Sequence, residues 1–315
     1  MKSTEVLLVG TGAVGSYFGG KLSQSDARVS ALCRSDYEAA REKGIVIRSY
    51  KGDFVFNPAE VIQSAEELSV RPDYILICLK ALPDIRIEEI IRDAVYPQTV
   101  IVLIQNGIGI EQEVAQHFPK NQLVSGIAFI AVSRVEPGIV RHTGSGKLVL
   151  GNYPSGSEVK TRGLAKLFRQ VDVPCDVSED IMKDRWQKMV WNAAFNPISV
   201  LGGHATSKQM VENRESEVLV RQVMQEIMDV AAATGHPLEE SIVENAIAGN
   251  HKMRPFKTSM LVDYQANRPM EVEAILGNTM KIAREVNIPV PHLETLYGLL
   301  KLQMAVIQQQ QEEQT

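Results

Sequence analysis

Lys188, Asn192 and Asn196 recur every fourth residue in a segment whose other residues are largely apolar. Each residue of a helix advances by about 100°, so this spacing places the ammonium group and both amides on one helical face. A helix that is apolar nearly all round is buried, and buried polar side chains need partners. The three side chains therefore face either a ligand or an internal polar network, and the segment alone does not choose between them.

Ser259 and Glu271 are two further polar residues of the second half that could do chemistry. Ser259 lies one helical turn before Asp263, and Glu271 opens a predicted helix just after Pro269. A carboxylate at the N-terminus of a helix is stabilised by the helix dipole. Glu271 as a plain cap and Ser259 as a helix-surface hydroxyl are therefore the ordinary alternatives to a role in a site.

A glycine-rich turn near the N-terminus predicts a nucleotide site. A short apolar strand over residues 5–9 runs directly into a G-x-G-x-x-G motif, and a helix can continue from residue 16 to residue 23. In such a unit the glycines allow a tight turn, an approach of the pyrophosphate to the backbone and close helix packing. The predicted cofactor-binding residues of the motif are Gly10, Thr11, Gly12, Ala13, Val14 and Gly15. A glycine turn that only packs is the alternative.

Arg34 follows the second predicted strand, residues 28–33, at the place where a NAD-binding fold presents Asp or Glu to the ribose 2'-hydroxyl. An arginine there accommodates a 2'-phosphate instead, so NADPH/NADP+ is the predicted cofactor. Asp36 leaves NAD open as an alternative, because a small shift of register would place its carboxylate at the ribose. Arg34 as an ordinary solvated charge is the other alternative.

Lys80 and Asn106 lie at the ends of two more predicted strands, residues 73–79 and 99–104. Ligands of open parallel sheets bind outside the carboxyl ends of the strands. Lys80 can reach a phosphate or a carboxylate, and the Asn106 amide can bond a ribose, the nicotinamide or a substrate. A solvated lysine at a helix N-terminus is the alternative for Lys80, although the helix dipole disfavours a cation there.

The remaining pattern predicts an α/β fold, with an N-terminal Rossmann-type sheet domain over residues 1–179 followed by an all-α C-terminal domain over residues 180–315. Strands separated by glycine turns are predicted to add an antiparallel edge to the sheet before one more helix and a last strand, over residues 123–132, 138–143, 147–150, 158–170 and 173–177. Long helices separated by Gly, Asn and Pro breaks follow, over residues 184–201, 215–234, 238–248, 271–286 and 293–310. The polar residues 308–315 predict a fraying, solvated end.

The bulk properties point to small-molecule chemistry. The 315 residues carry a net charge of -5 without a basic patch, which argues against nucleic-acid binding. No apolar run is long enough to span a membrane and the first residues lack a signal-peptide pattern, so a cytoplasmic protein that does not bind membranes is predicted. The three cysteines form no disulfide or zinc pattern, and no metal site is predicted. Apolar helices late in the chain, such as residues 293–307, could form a homodimer interface or only pack internally.

In combination, these residues resemble the ketopantoate reductase (2-dehydropantoate 2-reductase) family over nearly the whole chain. The matching features are the glycine motif, Arg34, Lys80, the Gln105-Asn106-Gly107 turn, Lys188 with its two asparagines, Ser259-Met-Leu-x-Asp263 and Glu271-Val-Glu-Ala-Ile-Leu-Gly277. The resemblance implies that Lys188 is the general acid and that Glu271 organises the lysine and the substrate. It also implies that Asn192, Asn196 and Ser259 contact the substrate, and that Lys80 and Asn106 position cofactor and substrate.

The leading hypothesis is NADPH-dependent reduction of ketopantoate to (R)-pantoate in pantothenate and coenzyme A biosynthesis, with Lys188 as the proton donor. A paralogue that reduces another branched 2-keto acid stays open, because pocket shape separates such substrates by only about 1 to 3 kcal/mol per methylene. A protein that senses NADP without turnover is the third hypothesis. The polar residues around Lys188 argue against it, because a sensor needs no proton donor.

Overall fold

Two compact units make up the chain, for which a computed structural model describes residues 3–313. The first unit ends at Asn106, resumes at Ile110 and continues to Met182. The second unit begins at Lys183 and also contains a short segment from the first half of the sequence, Gly107–Gly109. The chain therefore enters the second unit twice, first for three residues and then from Lys183 onward.

The first unit is built on a ten-stranded sheet. Its strands are β1 (Thr4–Val9), β2 (Ala27–Leu32), β3 (Ile45–Ser49), β4 (Phe54–Phe56), β5 (Val61–Ile62), β6 (Tyr74–Ile77), β7 (Val100–Leu103), β8 (Leu123–Glu136), β9 (Ile139–Asn152) and β10 (Cys175–Val177). They are ordered β4-β3-β9-β8-β7-β6-β1-β2-β5, with β10 paired to β9. The neighbours from β5 to β8 pair in parallel, as a Rossmann-type sheet requires.

Both faces of this sheet are covered, which explains why its central strands are apolar and buried over residues 6–9, 74–77 and 100–103. Residues Val6 and Leu8 of β1 pack into one hydrophobic core cluster, and Leu7 and Val9 pack into another. Side chains alternate between the two faces of a strand, so a strand buried on both faces has no polar position. The helices of the unit are α1 (Ala13–Leu22), α2 (Tyr37–Glu42), α3 (Ile87–Ile91), α4 (Glu111–His117) and α5 (Val159–Gln170), with short 3-10 turns at Ala65–Glu67 and Arg92–Ala94.

The antiparallel strands differ from the prediction in one respect. The sequence predicted separate strands over residues 138–143 and 147–150, but β9 is continuous from Ile139 to Asn152. The glycines at positions 144 and 146 led to the prediction of a turn. In the structure the register between β9 and β8 shifts near these glycines, and the strand continues through them. As predicted, the antiparallel β8–β9 hairpin extends the sheet beyond β7, and β3 and β4 continue it further.

The described part of the second unit contains helices and no strands. The helices are α6 (Ile181–Leu201), whose first two residues belong to the first unit, α7 (Ser207–Glu212), α8 (Arg214–Ala233), α9 (Ser241–Lys252), α10 (Ser259–Gln265), α11 (Asn278–Glu285) and α12 (Pro291–Glu313). A π-helical turn at Glu273–Gly277 precedes α11, where the sequence predicted one regular helix over residues 271–286. Helix α12 extends through most of the segment predicted to fray, and residues 314–315 of that segment lie outside the described residues.

The long helices of the second unit are joined by a buried carboxylate. Glu226 of α8 is 7% exposed and accepts hydrogen bonds from the backbone amides of His292 and Leu293, both at 2.9 Å. These amides open α12, where the first N–H groups of a helix lack partners within it. Glu226 therefore caps α12 from a neighbouring helix. Across residues 3–313, no helix combines the length and the apolar character needed to cross a bilayer.

Candidate active site

The glycine motif of the first unit has three different local geometries. Gly10 has a φ of +95°, and an added Cβ would lie 2.7 Å from Cδ2 of Leu79. Gly12 stands at the start of α1, and a Cβ there would meet nothing within 4 Å. A Cβ on Gly15 would lie 2.0 Å from the carbonyl oxygen of Gly10. The first glycine thus makes the turn, the second leaves the backbone open, and the third packs α1 against the loop, as a dinucleotide site requires.

The rest of the motif fixes the start of α1. Ser16 donates a hydrogen bond to the carbonyl of Thr11 at 2.7 Å, and both residues are buried. Ala13 and Val14 form the first turn of the helix, which contains no acidic residue. The N-terminus of α1 therefore combines backbone N–H donors and the positive end of the helix dipole with an open approach at Gly12. These residues fit the diphosphate of a dinucleotide.

Arg34 and Asp36, the two residues that left the cofactor open, have different environments. Arg34 is exposed just beyond the carboxyl end of β2. Asp36 is 4% exposed, accepts a hydrogen bond from the Gly138 backbone at 2.9 Å, and forms a salt bridge with Arg134 at 3.0 Å. The Asp36 carboxylate is therefore part of the contact between the start of α2 and the β8–β9 hairpin, whereas the Arg34 guanidinium is exposed.

Lys80 and Asn106 lie at the same edge of the sheet. Strands β6 and β7 are parallel with Ile77 opposite Leu103, and both residues follow these strand ends. Gln105 donates a hydrogen bond from Nε2 to the carbonyl of Leu79 at 2.8 Å, which links the two ends directly. Lys80 and Asn106 are both half-buried. The parallel register of β1, β2 and β6 brings the glycine motif and Arg34 to this edge as well.

Helix α6 of the second unit displays the polar face that the spacing predicted. Lys188 is half-buried, Asn192 is 7% exposed and Asn196 is 0% exposed, while Met189 and Val190 are buried beside them. Among the described residues, neither the side-chain nitrogen nor the side-chain oxygen of Asn196 has a hydrogen-bond partner. A fully buried amide of this kind is costly, and native proteins keep few of them. The Asn196 amide therefore takes no part in an internal polar network of the described residues.

The electrostatic environment of Lys188 lowers the pKa of its amine from 10.5 to about 7. Burial of the ammonium is the largest cause, and the positive charge of Arg185 acts in the same direction. The carboxylate of Glu271 opposes both and raises the pKa of Lys188. An amine with a pKa near neutrality can both give up and regain a proton at physiological pH, which is what a general acid requires.

Glu271 lies two residues before the start of the π-helical turn and is 9% exposed. Its carbonyl accepts a hydrogen bond from the amide of Ile275 at 3.1 Å, so it does stand at a helix start. Glu271 is nevertheless more than a helix-capping residue, because its carboxylate also raises the pKa of Lys188. Single π-helical turns inside helices occur frequently at functional sites.

Ser259 is connected to the α6 stripe through residues that the sequence did not single out. Thr258 caps α10 by accepting a hydrogen bond from the Leu261 amide, and its hydroxyl lies 2.6 Å from the hydroxyl of Ser199. Ser199 in turn donates to the Asn196 carbonyl at 2.7 Å. Thr258 and Ser199 therefore fix the start of α10 close to the end of the stripe. Ser259 itself is exposed as the first residue of that helix.

Arg185 is a third residue that the sequence-based prediction missed. It is 3% exposed and lies three residues before Lys188 on α6. That spacing makes the two side chains neighbours on a helix, and it was the available signal. No cluster of three or more His, Cys, Asp or Glu side chains that could hold a metal ion occurs in the part of the chain described.

Comparison with known proteins gives one family match in each half of the chain. The profile described as "Ketopantoate reductase PanE/ApbA" matches residues 6–155, and "Ketopantoate reductase PanE/ApbA C terminal" matches residues 180–304. The chain belongs to the ketopantoate reductase family. A crystal structure of 2-dehydropantoate 2-reductase from Methylococcus capsulatus is 48% identical with a TM-score of 0.91, covering 96% of this chain and 97% of that one.

Two further relatives of the family extend the comparison. The 2-dehydropantoate 2-reductase of Nostoc sp. is 29% identical over 306 residues, which are 96% of this chain and 95% of the relative. A structure described as a dimeric ketopantoate reductase from Staphylococcus aureus is 25% identical with a TM-score of 0.78, covering 95% of this chain and 98% of the other. The match to this family of oxidoreductases thus covers nearly the full length of each protein compared.

Proposed function

We propose that the protein reduces 2-dehydropantoate (ketopantoate) to (R)-pantoate with NADPH, in pantothenate and coenzyme A biosynthesis. The single observation that carries this proposal is Lys188, whose amine has a pKa of about 7 on a helical face shared with Asn192 and Asn196. Hydride addition to a keto group leaves negative charge on the oxygen. A preorganised donor for that charge contributes about 3 to 4 kcal/mol to catalysis.

The residues of the second unit account for the proton. The Lys188 ammonium donates a proton to the developing oxyanion, which becomes the hydroxyl of the product, and the amine is left neutral. Glu271 keeps the amine protonated against burial and the charge of Arg185. Asn192 and Asn196 can hold the hydroxyl and carbonyl groups of the substrate without adding charge. The exposed hydroxyl of Ser259 is the proposed partner of the substrate carboxylate.

The residues of the first unit account for the cofactor, which supplies the hydride to the keto carbon when bound. The backbone N–H groups from Gly10 to Gly15 hold the diphosphate, and Arg34 holds the 2'-phosphate. Support for NADPH over NADH comes from Asp36, whose carboxylate is buried against Gly138 and Arg134 while Arg34 is exposed. Lys80 and Asn106 are the proposed positioners of cofactor and substrate. The proposal assigns cofactor binding to residues 1–179 and the catalytic groups to residues 180–315.

A panel of 2-keto acids assayed with NADPH and with NADH tests reaction, substrate and cofactor together. The expected result is NADPH oxidation that is fastest with ketopantoate and much slower with NADH. The product should be (R)-pantoate by chiral chromatography. Faster turnover of another branched 2-keto acid would replace ketopantoate by that substrate and favour the paralogue. Tight NADPH binding without oxidation by any keto acid would favour a sensor and would contradict the proposal.

The proposal also includes a cytoplasmic homodimer formed through the C-terminal helices. Leu299, Leu302 and Val306 of α12 are 47%, 61% and 44% exposed and share one helical face. Exposed apolar stripes of this kind are typical of interaction surfaces. Light scattering should give a dimer for the wild type and a monomer for Leu302→Glu. A wild-type monomer, or a variant that stays dimeric, would remove this part of the proposal.

A further inference from the structure

Arg185 is a buried cation that holds a backbone segment of the helical unit. The guanidinium donates a hydrogen bond from Nη1 to the carbonyl of Gly107 at 2.9 Å. The same segment is held at two more points, since Ile108 donates to the Ala274 carbonyl at 3.0 Å and Asn278 donates to the Ile108 carbonyl at 2.8 Å. These bonds fix the peptide groups of Gly107 and Ile108. They also fix the place of the guanidinium that binds one of them.

The second environment of Arg185 is Lys188. Residues three apart are neighbours on a helix surface. A guanidinium stays charged at every pH that a protein tolerates, whereas an ammonium changes its charge readily when buried. Arg185 and Glu271 are the charged groups that act on Lys188, with opposite effects.

We propose that Arg185 is a positioning residue of the reaction: anchored on the Gly107 carbonyl, it keeps a fixed positive charge beside Lys188 and so sets how readily that amine releases its proton. The inference rests on the proposed function for Lys188 as the proton donor. It assigns to Arg185 an action on the lysine and no contact with the substrate. Neutral replacements of Arg185 should remove that action.

Competitive labelling of lysines by acetic anhydride as a function of pH tests this on the intact protein, with peptide mass spectrometry as the readout. Wild-type Lys188 should show a midpoint near pH 7. Arg185→Gln and Arg185→Met should move the midpoint to higher pH and lower the labelling of Lys188 at pH 7 severalfold. Arg185→Gln can still donate to Gly107, so it separates the loss of the charge from the loss of the hydrogen bond. Lys208 of α7 serves as an internal reference, because it pairs with Glu212 at the surface.

The outcomes separate this inference from the proposed function. An unchanged Lys188 midpoint in both neutral variants would overturn it. Labelling needs no turnover, so the result stands even if no keto acid oxidises NADPH. If ketopantoate is reduced, the alkaline limb of the kcat/KM profile should move upward in the neutral variants together with the labelling midpoint. A purely structural role for Arg185 would lower the melting temperature without moving either quantity.

Discussion

The carboxylate of Glu271 raises the pKa of Lys188, against the burial and the Arg185 charge that lower it. Burial and a like charge together would favour a neutral amine, which has no proton to give. A counter-charge alone would hold the proton too firmly. The balance leaves the pKa at about 7, so both protonation states of Lys188 are populated at neutral pH.

Replacement of Lys188 should abolish most of the turnover while leaving the cofactor site intact. Lys188→Met is expected to lower kcat for ketopantoate reduction by about two to three orders of magnitude, the usual cost of a lost oxyanion donor. The Kd for NADPH, measured by fluorescence titration, should stay close to that of the wild type. Lys208→Met is the matched control and should be fully active. Near-normal turnover of Lys188→Met would remove the lysine from the mechanism.

The rate of reduction should depend on pH through the same group. The acid must be protonated, so kcat/KM for reduction should fall as pH rises through the pKa of Lys188, about 7 in the free protein. The reverse oxidation of pantoate needs the neutral amine and should rise over the same range. Initial rates measured in both directions between pH 5.5 and pH 9 would test this. Identical pH profiles for the two directions would be incompatible with Lys188 as acid and base.

The depressed pKa also predicts how stability changes with pH. Between about pH 7 and pH 10.5 the unfolded chain holds a proton on Lys188 that the folded protein has released. The contribution of Lys188 to the free energy of unfolding therefore rises with pH across this window, by at most about 1.4 kcal/mol per pH unit. Urea titrations at several pH values should show the wild type gaining stability relative to Lys188→Met. A constant difference between the two proteins would mean that the amine has an ordinary pKa.

How far the sequence could predict the fold depended on whether a feature is local. Strand β1, the glycine turn and helix α1 are consecutive in the chain, so the pattern predicted them together. Strand β3 was missed, because its parallel neighbour β9 lies almost a hundred residues away and no local signal links Val46 to Ile139. The continuity of β9 was missed for a related reason, since its irregular register exists only in the pairing with β8.

Arg34→Ala should weaken NADPH binding selectively. A guanidinium on a phosphate makes charge-assisted hydrogen bonds worth about 1.5 to 3 kcal/mol, so the Kd for NADPH should rise by about tenfold to a hundredfold. The Kd for NADH should change little, because NADH lacks the 2'-phosphate. Arg41→Ala, at an exposed arginine of α2, is the matched control. Equal losses for both cofactors would show that Arg34 does not bind the 2'-phosphate.

Gly107→Ala should destabilise the protein both through backbone strain and through a steric clash of the new Cβ. Gly107 has a φ of +102°, and an added Cβ would lie 2.4 Å from the Ala274 carbonyl oxygen. Gly235 has a φ of +85° but nothing within 4 Å of an added Cβ. Gly235→Ala should thus cost about 1 to 2 kcal/mol of unfolding free energy from backbone strain, and Gly107→Ala should cost more. Equal losses of unfolding free energy for the two variants in chemical denaturation would show that the contact with Ala274 adds no destabilisation.

The part of the candidate site that lies on the single helix α6 was predictable from the sequence. The spacing of Lys188, Asn192 and Asn196 on α6 predicted their common face, because helical geometry needs no tertiary information. The hydrogen bond from Arg185 to Gly107 joins residues 78 positions apart, and the contact of Ser199 with Thr258 joins residues 59 apart. No pattern within α6 indicates these partners. Asp36 shows the same limit, since only its partner Gly138 reveals that the carboxylate is committed elsewhere.

Residues Gly107–Gly109 belong to the helical unit. This limits where the chain can be cut into fragments or joined to segments of its relatives. A fragment that begins at Lys183 lacks the amide that bonds to Ala274 and the carbonyl that bonds to Arg185. A chimera joined at a single crossover near that residue would combine the helices of one parent with the 107–109 tripeptide of the other. Exchanges between family members should therefore carry the tripeptide together with the helices, which makes them two-crossover grafts.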